Sequence, residues 1–419
     1  MTWPAALRAL AHRNYRLFVA GQLVSLIGTW MQTVAQGWLV YRLTGSSLQL
    51  GLVGFAAQIP MFVLSPAGGL IADRWPRRRV LILTQSAMMA LALVLAALTM
   101  TESVRIWHVY FLALLLGIAT AVDMPTRQSF VVEMVGKSDL GNAIALNSSM
   151  VNGARLVGPA VAGVLVAVMG EGWCFLLNGF SFLAVIAGLA AMRLPVAVVQ
   201  AAVGGLAARV VEGFGYVART PPVRALLLLL GCVSLLGMPY TVLGPVMAEE
   251  VLHGGPSAYG LLMSASGVGS LLGALALASR RGTDGLLHWA PAGAAGFGAA
   301  LVVFSLSRAL WLSVLLLVPA GFCMMIQMAS VNTLVQSMVP DRLRGRVMSV
   351  YAMMFLGMAP FGSLLAGLVA HPFGAPATIA IGGAACIAAA AVFGARLPGF
   401  APMARHLLAG RVADPDGER

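Results

Sequence analysis

Apolar residues in this chain come in long unbroken stretches, not in the alternating or three-and-four patterns of half-buried strands and helices. Crossing the hydrocarbon core of a bilayer, about 30 Å, takes roughly 20 such residues as an α-helix. Stretches of that kind lie near 17–41, 48–72, 80–100, 106–125, 141–168, 173–192, 224–247, 258–279, 287–306, 309–336, 346–370 and 374–395. The pattern therefore predicts an all-α membrane protein with twelve transmembrane helices. The longest polar connection, Arg193 to Arg224, divides the spans six and six. The expected organisation is an N-terminal six-helix bundle (1–192), a cytoplasmic linker (193–223), a C-terminal six-helix bundle (224–395) and a polar cytoplasmic tail (396–419). Within the linker, the segment from Leu206 to Arg219 is mildly amphipathic and suits a membrane surface. The first apolar run is too long for a cleavable leader and is followed at once by another.

Composition and charge sharpen this picture. Hydrophobic residues make up 60% of the chain and charged residues only 10%, against about a quarter charged in a soluble domain. With the N-terminus placed in the cytoplasm, 22 of the 26 basic residues fall in cytoplasmic loops or tails; Arg42, Arg105 and Arg308 fall outside, and Arg155 falls inside a span. Losing one span would invert every later loop, so the bias tests topology as well as orientation. The net charge of +12 sits in short loops between spans. It points to the anionic face of a lipid bilayer and not to nucleic acid. The four cysteines, Cys174, Cys232, Cys323 and Cys386, lie in spans without metal-ligand spacing and read as small packing residues. No phosphate-binding loop and no catalytic constellation stands out, so neither an enzyme nor a cofactor is expected.

The two halves repeat. At a constant offset of 204, Val131, Met134, Val135, Gly141, Met150, Gly153, Gly158, Ala162 and Gly163 match Val335, Met338, Val339, Gly345, Met354, Gly357, Gly362, Ala366 and Gly367. Pseudo-symmetric six-span repeats enclosing a midplane site are an established transporter plan.

Specific motifs add to this. Gly69-Leu-Ile-Ala-Asp73-Arg-Trp-Pro-Arg77-Arg-Arg resembles the signature loop of the major facilitator superfamily, with Pro76 where the pattern has Gly. Gly158-Pro159-Ala-Val-Ala-Gly163 resembles the Gly-Pro element of its antiporters. Asp123-Met-Pro-Thr-Arg127, Asn142-Ala-Ile-Ala-Leu-Asn147 and Arg344-Gly-Arg346-Val-Met-Ser349 resemble the exporter branch that includes enterobactin and macrolide efflux proteins. The resemblance implies a bacterial inner-membrane protein with both termini cytoplasmic. It implies secondary-active export of a small amphipathic molecule of drug, macrolide or siderophore type, by alternating access with proton antiport. Uptake of a small nutrient on the same fold is the alternative. Expected partners are the substrate, protons and the bilayer, with the chain acting as a monomer.

The resemblance also assigns a gate made of Gly69, Asp73, Arg77, Asp123, Gly158 and Pro159. In it Asp73 caps the helix starting near Arg346, and Arg77 pairs with Asp123. Physical reasoning gives the rest of the candidate site. Gln22, Ser25, Thr29, Gln32 or Thr33, and Gln36 share one helix face, which belongs toward a polar interior or a water-filled path. They read either as cavity lining or as interhelical packing. The family's spans 7 and 10 line the same cavity, which adds Tyr240 and Gln327. Arg155, deep in span 5, either meets a substrate group or is a structural Arg bonded to backbone carbonyls. It is expected to lie about 15 Å deeper than Asp123, too far for contact. Asp123 is the best candidate for proton coupling, because no acid lies near the middle of any expected span.

Overall fold

The structure, a computed structural model, describes residues 5–136, 138–193, 206–280 and 282–412, with side chains described for these except at 5, 6, 65–67, 69, 70, 72, 73, 206–210 and 410–412. It is all helical. In chain order the elements are α1 (Arg13–Thr44), α2 (Ser47–Arg74), α3 (Arg77–Met100), α4 (Ile106–Val135), α5 (Leu140–Met169), α6 (Glu171–Ala191) and α7 (Leu206–Arg219). Then come α8 (Pro221–Val251), α9 (Gly255–Ala278), α10 (Leu286–Leu306), α11 (Leu310–Met338), α12 (Asp341–Phe355) and α13 (Ala359–Val412).

Among the described residues, 11 helical stretches are long and apolar enough to cross a membrane, and the last, Asp341–Ala409, holds 69 residues. A straight helix of that length would reach about 100 Å, three times the hydrocarbon thickness. The chain instead reverses at Gly374, whose φ of 80° and ψ of 163° are non-helical, so this stretch supplies both the eleventh and the twelfth crossing. The helix then runs past the expected start of the tail, to Val412. Phe400, Ala401 and Ala404 keep it packed, and Phe400 lies edge-on to Phe393 with centroids 5.3 Å apart.

The seventh crossing departs from a regular helix. α8 contains π turns at Val233–Gly237 and Met247–Val251, with a 3-10 turn at Met238–Thr241 between them. Pro239 and Pro245 each remove an N–H and crowd the carbonyl four residues earlier, and the backbone accommodates them by changing its hydrogen-bond step.

The helices fall into two compact units, residues 1–203 with 244–267, and residues 204–243 with 268–419. In the first, α1 packs on α5 and α6, α2 on α4, and α3 on α4 and α6. In the second, α10 packs on α11 and α13, and α7 lies against α12. Between apolar helices in lipid, close van der Waals packing replaces the hydrophobic drive, so small residues mark the contacts. A Cβ on Gly158 of α5 would stand 2.6 Å from the Cβ of Trp30 on α1. At its repeat partner, Gly362 of α13, a Cβ would stand 2.5 Å from the Leu235 carbonyl on α8.

The offset of 204 is written into the backbone. α4 starts at Ile106 and α11 at Leu310. Gly170, with φ 86° and ψ 169°, joins α5 to α6, and Gly374 makes the matching turn. Only glycine adopts that backbone region without strain.

The linker helix α7 does more than lie on a surface. A Cβ on Gly213 would come within 2.6 Å of the Arg346 carbonyl, Glu212 pairs with the Arg346 side chain, and the Tyr216 hydroxyl donates to the Met338 carbonyl. It clamps the start of α12.

Candidate functional site

The polar row on α1 forms one face, but its members meet different surroundings. Gln22, Ser25 and Gln32 are buried. Gln32 accepts a 2.6 Å hydrogen bond from Asn178 Nδ2 on α6, and Gly28, one turn earlier on α1, lets Asn178 and Ser181 of α6 approach closely. Thr29 and Thr33 are exposed, and each hydroxyl donates to the carbonyl four residues earlier on its own helix (2.8 and 2.9 Å). Gln36 is half-buried. Gln32 therefore has an interhelical bond, while the exposed polar positions, Thr29 and Thr33, lie in the C-terminal half of the helix.

Asp123 is the centre of a buried polar cluster. Only 2% exposed, its Oδ1 accepts from Thr84 Oγ1 (2.8 Å) and Gln85 Nε2 (2.9 Å) on α3, and its Oδ2 lies 3.6 Å from Arg127 Nε one turn along α4. The expected partner, Arg77, pairs with Glu133 instead. Antiparallel register explains this correction. Thr84 marks the level of Asp123 on α3, and Arg77 lies seven residues away, about 10 Å along the axis. That distance carries Arg77 toward Glu133, which lies ten residues, about 15 Å, along α4, and the long Arg side chain spans the remainder. Gly69 and Asp73 lie outside the described side chains.

One further expectation changes with the observed helix lengths. α4 continues to Val135, so Asp123 lies 12 residues from its end, and Arg155 lies 15 residues into α5. Along their axes these depths differ by about 5 Å, not by 15 Å. The two residues still do not pair. Asp123 is held by Thr84, Gln85 and Arg127, and the Arg155 guanidinium lies over the Trp30 ring, 5.4 Å from its centroid, a cation–π geometry.

The Gly-Pro element of α5 forms a tight seam with the first part of α9. A Cβ on Gly260 would stand 2.5 Å from the Pro159 carbonyl and 2.7 Å from Gly163 Cα. Ser257 donates to the Gly163 carbonyl (3.3 Å) and Ser264 to the Leu156 carbonyl (2.9 Å). Near the ends of the spans, Arg42 grips the buried Glu171 through Nε (2.7 Å) and Nη2 (3.2 Å), tying α1 to the first residue of α6.

In the second unit, Tyr240 is buried, and its ring meets Phe297 of α10 edge-on at 6.0 Å. Gln327 and Ser330 on α11 are fully buried, and both amide atoms of Gln327 and the Ser330 hydroxyl have no hydrogen-bond partner among the described residues. Among those residues no group of His, Cys, Asp or Glu is placed to hold a metal ion.

Sequence reasoning missed three features. Thr84 and Gln85 were visible as adjacent polar residues in an apolar span, but nothing in the sequence named their partner. Glu133 lies beyond the expected end of span 4 at 125, where the sequence gives it no partner. The third is a clasp at the start of α5, where Asp139 accepts from Arg8 Nε (2.6 Å) and pairs with His12 Nε2 (2.8 Å), while Asn142 accepts from the Ala9 N–H (2.8 Å). The His12 hydrogen bond, aided by Arg8, holds the Asp139 carboxyl below its usual range. This contribution is complete above the ordinary aspartate range and is lost as the pH falls through the lowered value.

Residues 4–406 match the family described as transmembrane secretion effector. The staphyloferrin A transporter of Staphylococcus aureus is 27% identical over 90% of this chain and 95% of its own length. The multidrug efflux pump Tap of Mycolicibacterium fortuitum is 27% identical over 86% of this chain and 90% of its own. In fold, the chain is similar to a crystal structure of a POT family transporter in complex with a thioalcohol-conjugated peptide. The TM-score is 0.73 at 12% identity, covering 93% of this chain and 96% of that one.

Proposed function

We propose, from the premise that this chain belongs to the transmembrane secretion effector family of the major facilitator superfamily, that it exports a small amphipathic molecule of drug or siderophore type by alternating access, driven by proton antiport. Transport in this class is carried by relatives whose names record a siderophore transporter and a drug efflux pump. The observation that supports proton coupling is Asp123. It lies 17 residues into α4 and 12 from its end, deeper in a spanning helix than any other acid of the sequence. An ionisable group at such depth is costly in lipid and is kept for function.

Its surroundings suggest how a proton acts. Ionised, Asp123 is held by two neutral donors of α3 and by the charge of Arg127. Protonated, it loses the attraction of Arg127 on its own helix, and the hydrogen bonds from Thr84 and Gln85 lose their charge assistance, so proton occupancy changes the link between α3 and α4. The bilayer and both termini on the cytoplasmic side complete the reading, with the chain working as a monomer. In this reading Gln22, Ser25, Thr29, Gln32, Gln36, Arg155, Tyr240 and Gln327 contribute to substrate binding. Gly69, Asp73, Arg77, Gly158 and Pro159 contribute to gating.

The test is a substrate panel in inverted vesicles with and without an imposed pH gradient. Export coupled to protons gives uptake that collapses when the gradient is removed. Asp123→Asn is expected to lose the gradient-driven component while keeping downhill exchange of the same compound. Gradient-driven uptake equal to that of the wild-type protein in this variant would overturn the coupling role.

A further inference from the structure

Residue 327 is the repeat counterpart of residue 123. Each lies 17 residues into its helix, and the two are separated by the offset of 204 that also relates the turns at Gly170 and Gly374. The side chains have taken opposite courses. Asp123 accepts from Thr84 and Gln85 and lies beside Arg127. Gln327 is fully buried, yet its Nε2 and Oε1, and the Oγ of Ser330 one turn on, have no partner among the described residues.

The facing helix explains the difference. Where α3 presents Thr84 and Gln85, the buried face of α10 presents Ala290, Pro291, Gly293, Ala294 and Phe297, none with a polar side chain. Gly293 sits so close that a Cβ there would stand 2.8 Å from the Gln327 backbone nitrogen and 3.0 Å from its Cβ. A buried amide without partners costs free energy that an apolar side chain of similar volume would avoid. Its presence at this point is therefore a reason to look for a ligand.

We propose that Gln327 and Ser330 form a hydrogen-bonding subsite for a neutral polar group of the transported molecule, one that both accepts and donates, such as an amide or a hydroxyl beside a carbonyl. The Gln327 amide supplies two donor hydrogens and a carbonyl acceptor, and the Ser330 hydroxyl supplies one donor and further acceptor capacity. Neither carries charge, so in a desolvated setting the pair favours a neutral group over a carboxylate or an ammonium. The duplicated position is thus divided in labour, with the ionisable copy in the first unit and the neutral, cargo-reading copy in the second. The inference rests on the transporter reading above but not on the direction of transport or the coupling ion.

The test uses the purified full-length protein and two kinds of probe. Erythromycin carries hydroxyls and carbonyls, and tetraphenylphosphonium has neither donors nor acceptors. Gln327→Leu removes the orphan amide at nearly constant volume and is expected to leave the melting temperature unchanged or raised. Erythromycin affinity should fall at least tenfold in this variant and about threefold in Ser330→Ala, with tetraphenylphosphonium affinity altered less than twofold. A well-folded Gln327→Leu protein with wild-type erythromycin affinity would overturn the subsite, as would equal losses for both probes. Selective loss of erythromycin affinity together with no gradient-driven transport in wild-type vesicles would overturn the export reading and leave the subsite standing. Wild-type protein that binds tetraphenylphosphonium but not erythromycin would overturn the subsite alone, and protein that binds neither would overturn both.

Discussion

At the scale of single residues, register decides partnership. Arg77 and Asp123 were each recognisable in the sequence as charges at functional positions, yet the structure pairs Arg77 with Glu133 and Asp123 with Thr84, Gln85 and Arg127. The consequence is measurable in a double-mutant cycle on thermal stability. Arg77 and Glu133 are partly exposed, at 29% and 24%, so their coupling is expected to be modest, about 0.2–1 kcal/mol. Arg77→Ala combined with Asp123→Asn is expected to be additive. Coupling of Arg77 to Asp123 larger than to Glu133 would refute the observed pairing. What could be read from the sequence was residue type and depth, because desolvation penalises charge wherever it lies. What could not be read was which residue of α3 faces which residue of α4. That depends on interhelical register, and apolar spans that repeat small and branched residues do not encode it. The polar row on α1 shows the same limit, since its shared face follows from helix geometry alone, whereas the division between Gln32 on Asn178 and the exposed Thr29 depends on which side of α1 is covered by α6.

At the scale of elements, the seam between α5 and α9 tests how far small residues carry an interface. Gly260→Val would place a branched side chain 2.5 Å from the Pro159 carbonyl. Overpacking of this kind typically costs about 1–3 kcal/mol, and thermal unfolding in detergent should register it. Gly141→Val is the control, because nothing lies within 4 Å of a Cβ there. Equal melting temperatures for the two variants would mean that the seam is not a close-packed contact. Element lengths were legible only in part. The hydrophobic stretches located the spanning helices among the described residues, because bilayer thickness sets a minimum length, but the helices continue past the apolar stretches. α4 does so as far as Val135 and α13 as far as Val412. The π turns of α8 were also hidden, although Pro239 and Pro245 marked where a regular helix had to yield. α7 was legible as amphipathic, but its attachment to α12 through Gly213 and Glu212 was not.

At the scale of the whole molecule, the charge distribution makes a prediction independent of any site. With 22 of 26 basic residues assigned to one side, a fluorescent protein fused after Arg419 is expected to fold and fluoresce in the cytoplasm. Alkaline phosphatase fused there is expected to be inactive, whereas the same enzyme inserted at Gly170 is expected to be active. An active phosphatase at the C-terminus would refute the orientation. The internal repeat was legible as nine matched residues, and the backbone extends it to places where side chains no longer agree. Around the two reversing glycines the flanks are Val-Met-Gly170-Glu-Gly and Pro-Phe-Gly374-Ala-Pro, alike in nothing but the glycine, while φ and ψ differ by only 6° at each angle. Any L-residue at either point meets the same steric veto, of about 1–3 kcal/mol. Every neighbour can therefore differ between the halves while the turn itself cannot, and these two dihedral pairs carry the repeat where the side chains no longer do.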